Sequence, residues 1–164
     1  MKLMKKDSRG FSLIELLIVV AIILIIAAIA IPNLLRSRIA ANQASCVGSL
    51  RTLNTAEVTY TSTYNQGYSA SLLDLGPPAT GSQPTLTAAG LIDSVLAAGE
   101  KSGYTLTYTP GAPDASGRIN TYGITGVPVS VGSTGQNYYF TDDTNVIRFN
   151  TAATASASDS PIGG

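Results

Sequence analysis

The chain contains no histidine, and Cys46 is its only cysteine. Catalysis by a Ser-His-Asp triad or by a Cys-His pair needs histidine, and the common zinc sites need several histidines or cysteines, so these sites are excluded. A single cysteine also excludes an intrachain disulfide, which exported domains often use. We therefore expect a protein that is not an enzyme, and whose folded part is held by its core, by hydrogen bonds or by a bound ion.

Basic residues are scarce, and four of the ten lie within the first ten residues: Lys2, Lys5, Lys6 and Arg9. With Asp7 they give this leader a net charge of +3, which leaves −3 on the remainder of the chain. Basic residues ahead of a membrane-spanning segment hold that end in the cytoplasm. The acidic remainder has no cluster of lysine and arginine, so no nucleic-acid partner is expected.

A run of twenty uncharged residues extends from Leu16 to Leu35. As a helix it reaches roughly 30 Å, one thickness of the hydrocarbon layer of a membrane. Apolar residues around the whole circumference are typical of a helix buried in lipid or in protein. A signal peptide cut after Ala28-Ile29-Ala30 is the alternative, but the run exceeds the usual length of its apolar part. The sequence predicts a hydrophobic helix over 11–35.

One carboxylate, Glu15, stands at the start of this apolar helix. A charge in such a segment is costly unless it has a partner. Cleavage after Gly10 would supply a partner, because it creates a cationic amino group on Phe11, one helical turn away. A purely structural role is the alternative, since an acid in the first turn gains about 0.3–1 kcal/mol from the helix dipole.

The stretch Gly10-Phe11-Ser12-Leu13-Ile14-Glu15, followed by apolar residues as far as Ile31-Pro32-Asn33, resembles the amino terminus of type IV pilins and type II secretion pseudopilins. The resemblance implies that residues 1–10 form a leader removed by a prepilin peptidase between Gly10 and Phe11. It also implies that the new amino group of Phe11 is methylated, and that Glu15 pairs with the Phe11 amine of a neighbouring subunit and so sets the register of assembly.

The same resemblance implies partners and a location. The chain would polymerise with itself and with related pilins, and an inner-membrane assembly platform with its ATPase would drive the process. The precursor would lie in the inner membrane in contact with lipid. The product would be an extracellular pilus or a periplasmic pseudopilus.

Pro32 is predicted to break the helix, because proline removes one helical N–H and disfavours helical geometry at Ile31. Many members of the resembled family carry glycine where this chain has Leu24, and the helix between that glycine and the proline melts in the filament. Without the glycine, we expect any melting to be confined near Pro32 or to be less complete.

Beyond Pro32 the apolar residues fall on one side of the helix, in the stripe Ile39, Cys46, Val47, Leu50, Leu53, Tyr60 and Tyr64. The sequence therefore predicts an amphipathic helix over 36–64, which Asn65-Gln66-Gly67 ends. Its stripe is expected to be buried under a globular head.

The head, 65–164, is predicted to contain a short helix over 87–98 that Thr87 begins and Gly99 ends. Alternating apolar residues between Tyr104 and Phe149 predict three or four antiparallel strands. The tail, 151–164, is predicted to be mobile or loosely packed, because it is rich in alanine, serine and threonine. The fold class expected is α+β, a long N-terminal helix on a small antiparallel sheet.

Asp142 and Asp143 are the weak candidates for metal ligands, since Ca²⁺ takes carboxylate oxygens. The segment Asp142-Asp143-Thr144-Asn145 lacks the spaced acids of an EF-hand, and Asp and Asn are favoured in turns. A hairpin turn with no resident cofactor is therefore the favoured interpretation.

Several functions stay open at this point. The favoured hypothesis is a subunit of a type IV pilus, and the alternative within this class is a pseudopilin of a type II secretion system. By resemblance, pilins commonly have a C-terminal disulfide, so its absence here favours a pseudopilin. The major pseudopilin of type II secretion resembles this chain but uses a calcium-binding loop, so the lack of a clear calcium loop favours a pilin. A monomeric, membrane-tethered binding module is the alternative from another class. DNA uptake would need a basic surface, but the head beyond the long helix holds only Lys101, Arg118 and Arg148.

Overall fold

The structure is a computed structural model that describes residues 10–163. The chain divides into two compact units, Met1–Ser37 and Arg38–Gly164. Of the predicted leader, 1–10, only Gly10 lies within the described residues.

One long helix, α1, runs over Leu13–Tyr64. It ends where Asn65 and Gly67 adopt positive φ angles of 52° and 84°. Glycine and asparagine take this left-handed conformation most readily, which explains why the helix stops where the sequence predicts.

In the first unit, the described residues 10–37 belong almost entirely to α1, and their large apolar side chains are exposed. Leu24, for example, is 63% exposed. Side chains of this kind are worth roughly 1.5–3 kcal/mol each when they are removed from water. This unit therefore needs lipid or other protein around it.

Pro32 lies inside α1, and the helix runs through it without interruption. The predicted helix break at Pro32 is therefore wrong for the single chain. The missing N–H costs one hydrogen bond to the Ala28 carbonyl, and the helical bonds on both sides keep the segment regular. Melting near Pro32 inside a polymer stays a prediction.

The second unit has a core built on the predicted stripe of α1. Leu50 and Leu53 are fully buried, and Cys46 is buried beside them. Tyr104 and Ile124, from the sheet, complete the centre of this core. The one-sided pattern of the second half of the helix thus becomes a packing face, as the sequence predicts.

Among residues 10–163, six strands form one antiparallel sheet in which each strand pairs with the next along the chain. They are β1 (Glu100–Lys101), β2 (Tyr104–Pro110), β3 (Tyr122–Pro128), β4 (Tyr138–Asp142), β5 (Arg148–Asn150) and β6 (Ser160–Pro161). The α+β fold class is confirmed, but the sheet has more strands than the three or four expected. The additional strands β1 and β6 have two residues each, too few to show an alternating pattern.

Two short helices complete the part of the fold that the structure describes: α2 over Leu72–Leu75 and α3 over Ser94–Ala97. The predicted helix over 87–98 is wrong in extent, and Thr87 does not begin it. Gly90 has a φ of 68°, which a continuous helix cannot accommodate. Asp93 begins α3 instead, and its carboxylate accepts a hydrogen bond from a backbone N–H of the first turn at 2.8 Å.

The described part of the C-terminal tail is mostly exposed but makes specific contacts with the sheet, and its predicted mobility stays a prediction. Ala155 is buried, and β6 pairs with β5. Asn150 donates a side-chain hydrogen bond to Asp159 Oδ1 at 2.8 Å, and the Arg148 guanidinium donates to the Asp159 carbonyl at 3.0 Å. Composition alone did not reveal these specific bonds.

Candidate functional site

The predicted cleavage position, Gly10-Phe11, lies just ahead of α1 and is exposed. The Phe11 side chain is 79% exposed. No heavy atom lies within 4 Å of a methyl group placed on Gly10, apart from its chain neighbours. A protease needs such accessible, non-helical backbone. The geometry is therefore compatible with cleavage at this bond.

The Glu15 side chain bonds to the backbone at the start of its own helix. The Ser12 N–H donates to Glu15 Oε2 at 2.9 Å, and the Leu16 N–H donates to the Ser12 carbonyl at 3.2 Å. A serine followed three residues later by a glutamate is the signature of a capping box, in which the glutamate satisfies the backbone N–H of the residue that begins the helix. No hydrogen bond from a described residue reaches Glu15 Oε1.

The role of Ser12 is a finding that the sequence interpretation missed, although the Ser-x-x-Glu spacing was there to be found. The bond also shows that Glu15 has a structural partner within one chain. The ion pair expected between Glu15 and a Phe11 amine needs a free amino terminus, which the uncleaved chain lacks. These two uses of Glu15 are compatible, because the carboxylate has two oxygens.

Within residues 10–163, α1 is the one helix that is long and apolar enough to cross a membrane. None of the residues in its apolar window is buried in the single chain. Glu15 and the exposed Phe11 therefore stand at the beginning of a segment that the chain itself does not cover.

Asp142 and Asp143, the weak metal candidates, lie at the turn between β4 and β5. Asp142 Oδ1 accepts hydrogen bonds from the Thr144 N–H and hydroxyl, and the Asn145 N–H donates to the Asp142 carbonyl at 2.9 Å. This is the side-chain-supported turn that Asp commonly forms. Among residues 10–163, no group of three or more histidine, cysteine, aspartate or glutamate side chains is placed to hold a metal. The turn accounts for the Asp142 side chain, and calcium binding at Asp142 and Asp143 stays the weaker, untested hypothesis.

Two polar residues of the core, Asn54 and Glu57, were also missed from the sequence. Both are buried on α1. Their spacing contained the signal, because Glu57 follows Leu53 by four residues and precedes Tyr60 by three, which places all three on one helical face. Polar side chains on a buried face need hydrogen-bond partners, and the head supplies them.

Comparison with known proteins bears on the amino-terminal segment. Residues 5–31 match the family model described as the prokaryotic N-terminal methylation motif. The type IV major pilin protein PilA of Myxococcus xanthus is 49% identical over 53 residues, which are 32% of this chain and 24% of that protein. The type IV wide pilus major component PilA4 of Thermus thermophilus is 62% identical over 37 residues, which are 23% of this chain and 28% of that protein.

The chain thus matches only about a quarter of the length of these two relatives. No solved structure matches the chain significantly. The similarity therefore concerns the motif and the long helix rather than the head. Over its N-terminal methylation motif and the beginning of the long helix, the chain is similar to these two type IV pilins.

Proposed function

We propose that this chain is a structural subunit of a type IV pilus. A prepilin peptidase cuts it between Gly10 and Phe11 and methylates the new amino group of Phe11. The mature subunit then polymerises through its apolar helix. The observation that carries this proposal is a methylation motif placed directly ahead of an apolar helix whose side chains the chain leaves exposed.

The exposed helix explains why polymerisation is favourable. Before assembly, lipid covers the apolar side chains of residues 11–35, and in the filament the same residues of neighbouring copies replace it. Transfer from lipid to protein gains little from the hydrophobic effect, because both surroundings are apolar. Close packing and polar pairs between subunits must therefore supply most of the free energy that favours the filament over the membrane.

Glu15 supplies such a polar pair. Its carboxylate would be costly among apolar helices unless a cation approached it. The Ser12 N–H holds Oε2, so Oε1 is left for the Phe11 amine of an adjacent subunit. One pair per subunit at a fixed position also sets the register of each incoming copy.

The proposed partners follow from this chemistry. Lipid and an inner-membrane assembly platform meet the precursor, and an ATPase drives extraction of the helix from the membrane. The chain itself needs no catalytic residue. The final location is the outside of the cell for a pilus, or the periplasm for the pseudopilus alternative.

Replacement of Glu15 tests the proposal. In the native host, the variant Glu15→Gln keeps the hydrogen bond from Ser12 but removes the charge. We expect it to be cleaved, to accumulate in the inner membrane and to yield no filaments in sheared surface material viewed by electron microscopy. Glu100→Gln is the matched control, because this exposed glutamate lies in β1 of the head, and it should assemble normally.

Normal filaments from Glu15→Gln would contradict the pairing of Glu15 with an amine. Wild-type protein that stays monomeric in the membrane and never forms filaments would favour the membrane-tethered binding module. Filaments found only in the periplasm would identify a pseudopilus instead of a pilus.

A further inference from the structure

The head contains a buried carboxylate that the proposed function does not use. Glu57, on α1, has no exposed surface, and neither has Ser69, which lies in the segment that follows the helix. The Ser69 N–H donates to Glu57 Oε2 at 3.0 Å. The Ser69 hydroxyl lies 2.5 Å from Glu57 Oε1. These two hydrogen bonds attach the segment that follows α1 to the helix.

No basic side chain faces this carboxyl group among the described residues. The ionisable groups around it are Tyr60 on its own helix, Tyr68 in the following segment, Asp74 on α2, Tyr108 on β2 and Tyr122 on β3. All of them are neutral or negative at neutral pH.

Burial raises the pKa of Glu57 above its usual range, and the negative charge of Asp74 adds to this effect. The hydrogen bonds from Ser69 act in the opposite direction, but burial prevails. A buried carboxylate without a cation is costly, and the protonated form avoids that cost.

The number of hydrogen bonds that Ser69 can form also differs between the two protonation states of Glu57. The Ser69 hydroxyl has one proton but two acceptors within reach, Glu57 Oε1 and the Ser71 carbonyl at 3.1 Å. When Glu57 is ionised, that proton is held by the carboxylate, and the Ser71 carbonyl keeps only the Asp74 N–H at 3.2 Å. When Glu57 is protonated, it donates to Ser69 Oγ, and Ser69 donates to Ser71, so both bonds form together.

We propose that Glu57, Ser69 and Ser71 form a proton-dependent latch that fastens the segment 65–71 to α1, closed when the carboxyl group is protonated and loosened when it ionises. The loosening is local, because two further bonds hold the segment to the sheet side of the head. Tyr108 donates to the Ser69 carbonyl at 2.8 Å, and the Tyr68 N–H donates to the Ile119 carbonyl at 2.8 Å.

The direction of the pH effect follows from linkage. An acid whose pKa is raised on folding stabilises the folded state below its ordinary pKa of about 4.3, and this contribution is lost as the pH rises through the folded pKa. We therefore expect the latch to make the head more stable in mildly acidic solution than at neutral pH. Asp93 and Asp159 have lowered pKa values and act oppositely, but only at lower pH.

Carbon-13 NMR of the full chain in detergent micelles tests the latch directly. The sequence has three glutamates, Glu15, Glu57 and Glu100, so labelling the glutamate carboxyl carbon gives three signals that single Glu→Gln variants assign. We expect Glu57 to titrate at a clearly higher pH than the ordinary glutamate pKa of about 4.3. Exchange of the Tyr68 and Ser69 amides, corrected for intrinsic rates, should quicken above that pH. A Glu57 signal that titrates at or below the ordinary value would overturn the proposal.

The variant Glu57→Gln supplies an independent test, because its amide mimics the protonated acid. The Gln carbonyl can accept from the Ser69 N–H, and its NH₂ can donate to Ser69 Oγ. The wild-type Tm should fall as the pH rises above the ordinary pKa of a glutamate, and that fall should vanish in Glu57→Gln but persist in Glu100→Gln. A Glu57→Gln protein that is less stable at every pH would overturn the latch; if this variant does not fold, the wild-type titration decides alone.

Discussion

The side-chain amide of Asn54, on α1, donates a hydrogen bond to Thr141 Oγ1, on β4, at 2.8 Å. These residues are 87 positions apart in the chain, and both are buried. Asn54 Oδ1 accepts from the Tyr122 hydroxyl of β3 at 3.1 Å. One asparagine thus joins the long helix to two neighbouring strands of the sheet.

Replacing Asn54 should therefore weaken the head. Asn54→Ala leaves the buried hydroxyl groups of Thr141 and Tyr122 without this partner, at a cost of about 1–3 kcal/mol. The free energy of unfolding of the detergent-solubilised protein, followed by circular dichroism in denaturant, measures the loss. Thr52→Ala, at an exposed position on the same helix, is the control and should change it by less than about 0.5 kcal/mol. Equal effects of the two changes would contradict the importance of the buried network.

Gly126, on β3, packs directly against the helix, and this contact gives a second prediction. A Cβ atom on Gly126 would lie 2.8 Å from Cys46 Sγ. Gly126→Ala should cost about 1–3 kcal/mol, the usual penalty for overpacking a core. Cys46→Ala removes the sulfur, so the double variant should be more stable than the sum of the single losses predicts. Strict additivity in unfolding experiments would show that the clash is absent.

Gly48 offers the opposite case on the same helix. It is exposed, and an added Cβ would meet no atom within 4 Å. Gly48→Ala should stabilise the protein by about 0.5–1 kcal/mol, because alanine loses less backbone entropy than glycine on forming a helix. An increase in Tm is the expected readout. A decrease in Tm would mean that other atoms pack against Gly48, so that the added methyl group clashes with them.

Cys46 should be chemically inert in the folded head. Burial raises the pKa of its thiol to about 12, so almost none is thiolate near neutral pH. We expect no reaction with a thiol reagent at pH 8 in the native protein and one equivalent in denaturant. Rapid labelling of the native protein would show that the core opens around this residue.

The sequence contained enough information for the long helix, its buried stripe and the α+β class, because apolar residues recur with a clear helical period over many turns. It also revealed the motif around Phe11 and Glu15, since the residue types and their order are specific. Ser12 was recognisable from the same stretch by its spacing to Glu15. Its hydrogen bond to the carboxylate gave it a role only in three dimensions.

Other features depend on contacts that no local pattern encodes. The helix expected over 87–98 fails because the backbone of this segment bonds to α2; the Ala89 N–H, for instance, donates to the Asp74 carbonyl at 2.8 Å. The contacts between the tail and the sheet depend on Asp159, which bonds to Arg148 and Asn150 of β5. Glu57 was overlooked because a residue that can carry a charge is normally exposed, and its hydrogen bonds to Ser69 are visible only in the structure.

The mass of the mature amino terminus tests the account most directly. Filaments sheared from cells of the native host should yield, by peptide mass spectrometry, a first residue Phe11 that carries one methyl group on its amine. A subunit that begins at Ile31, as after ordinary signal-peptide cleavage, or one that retains the leader, would contradict the account.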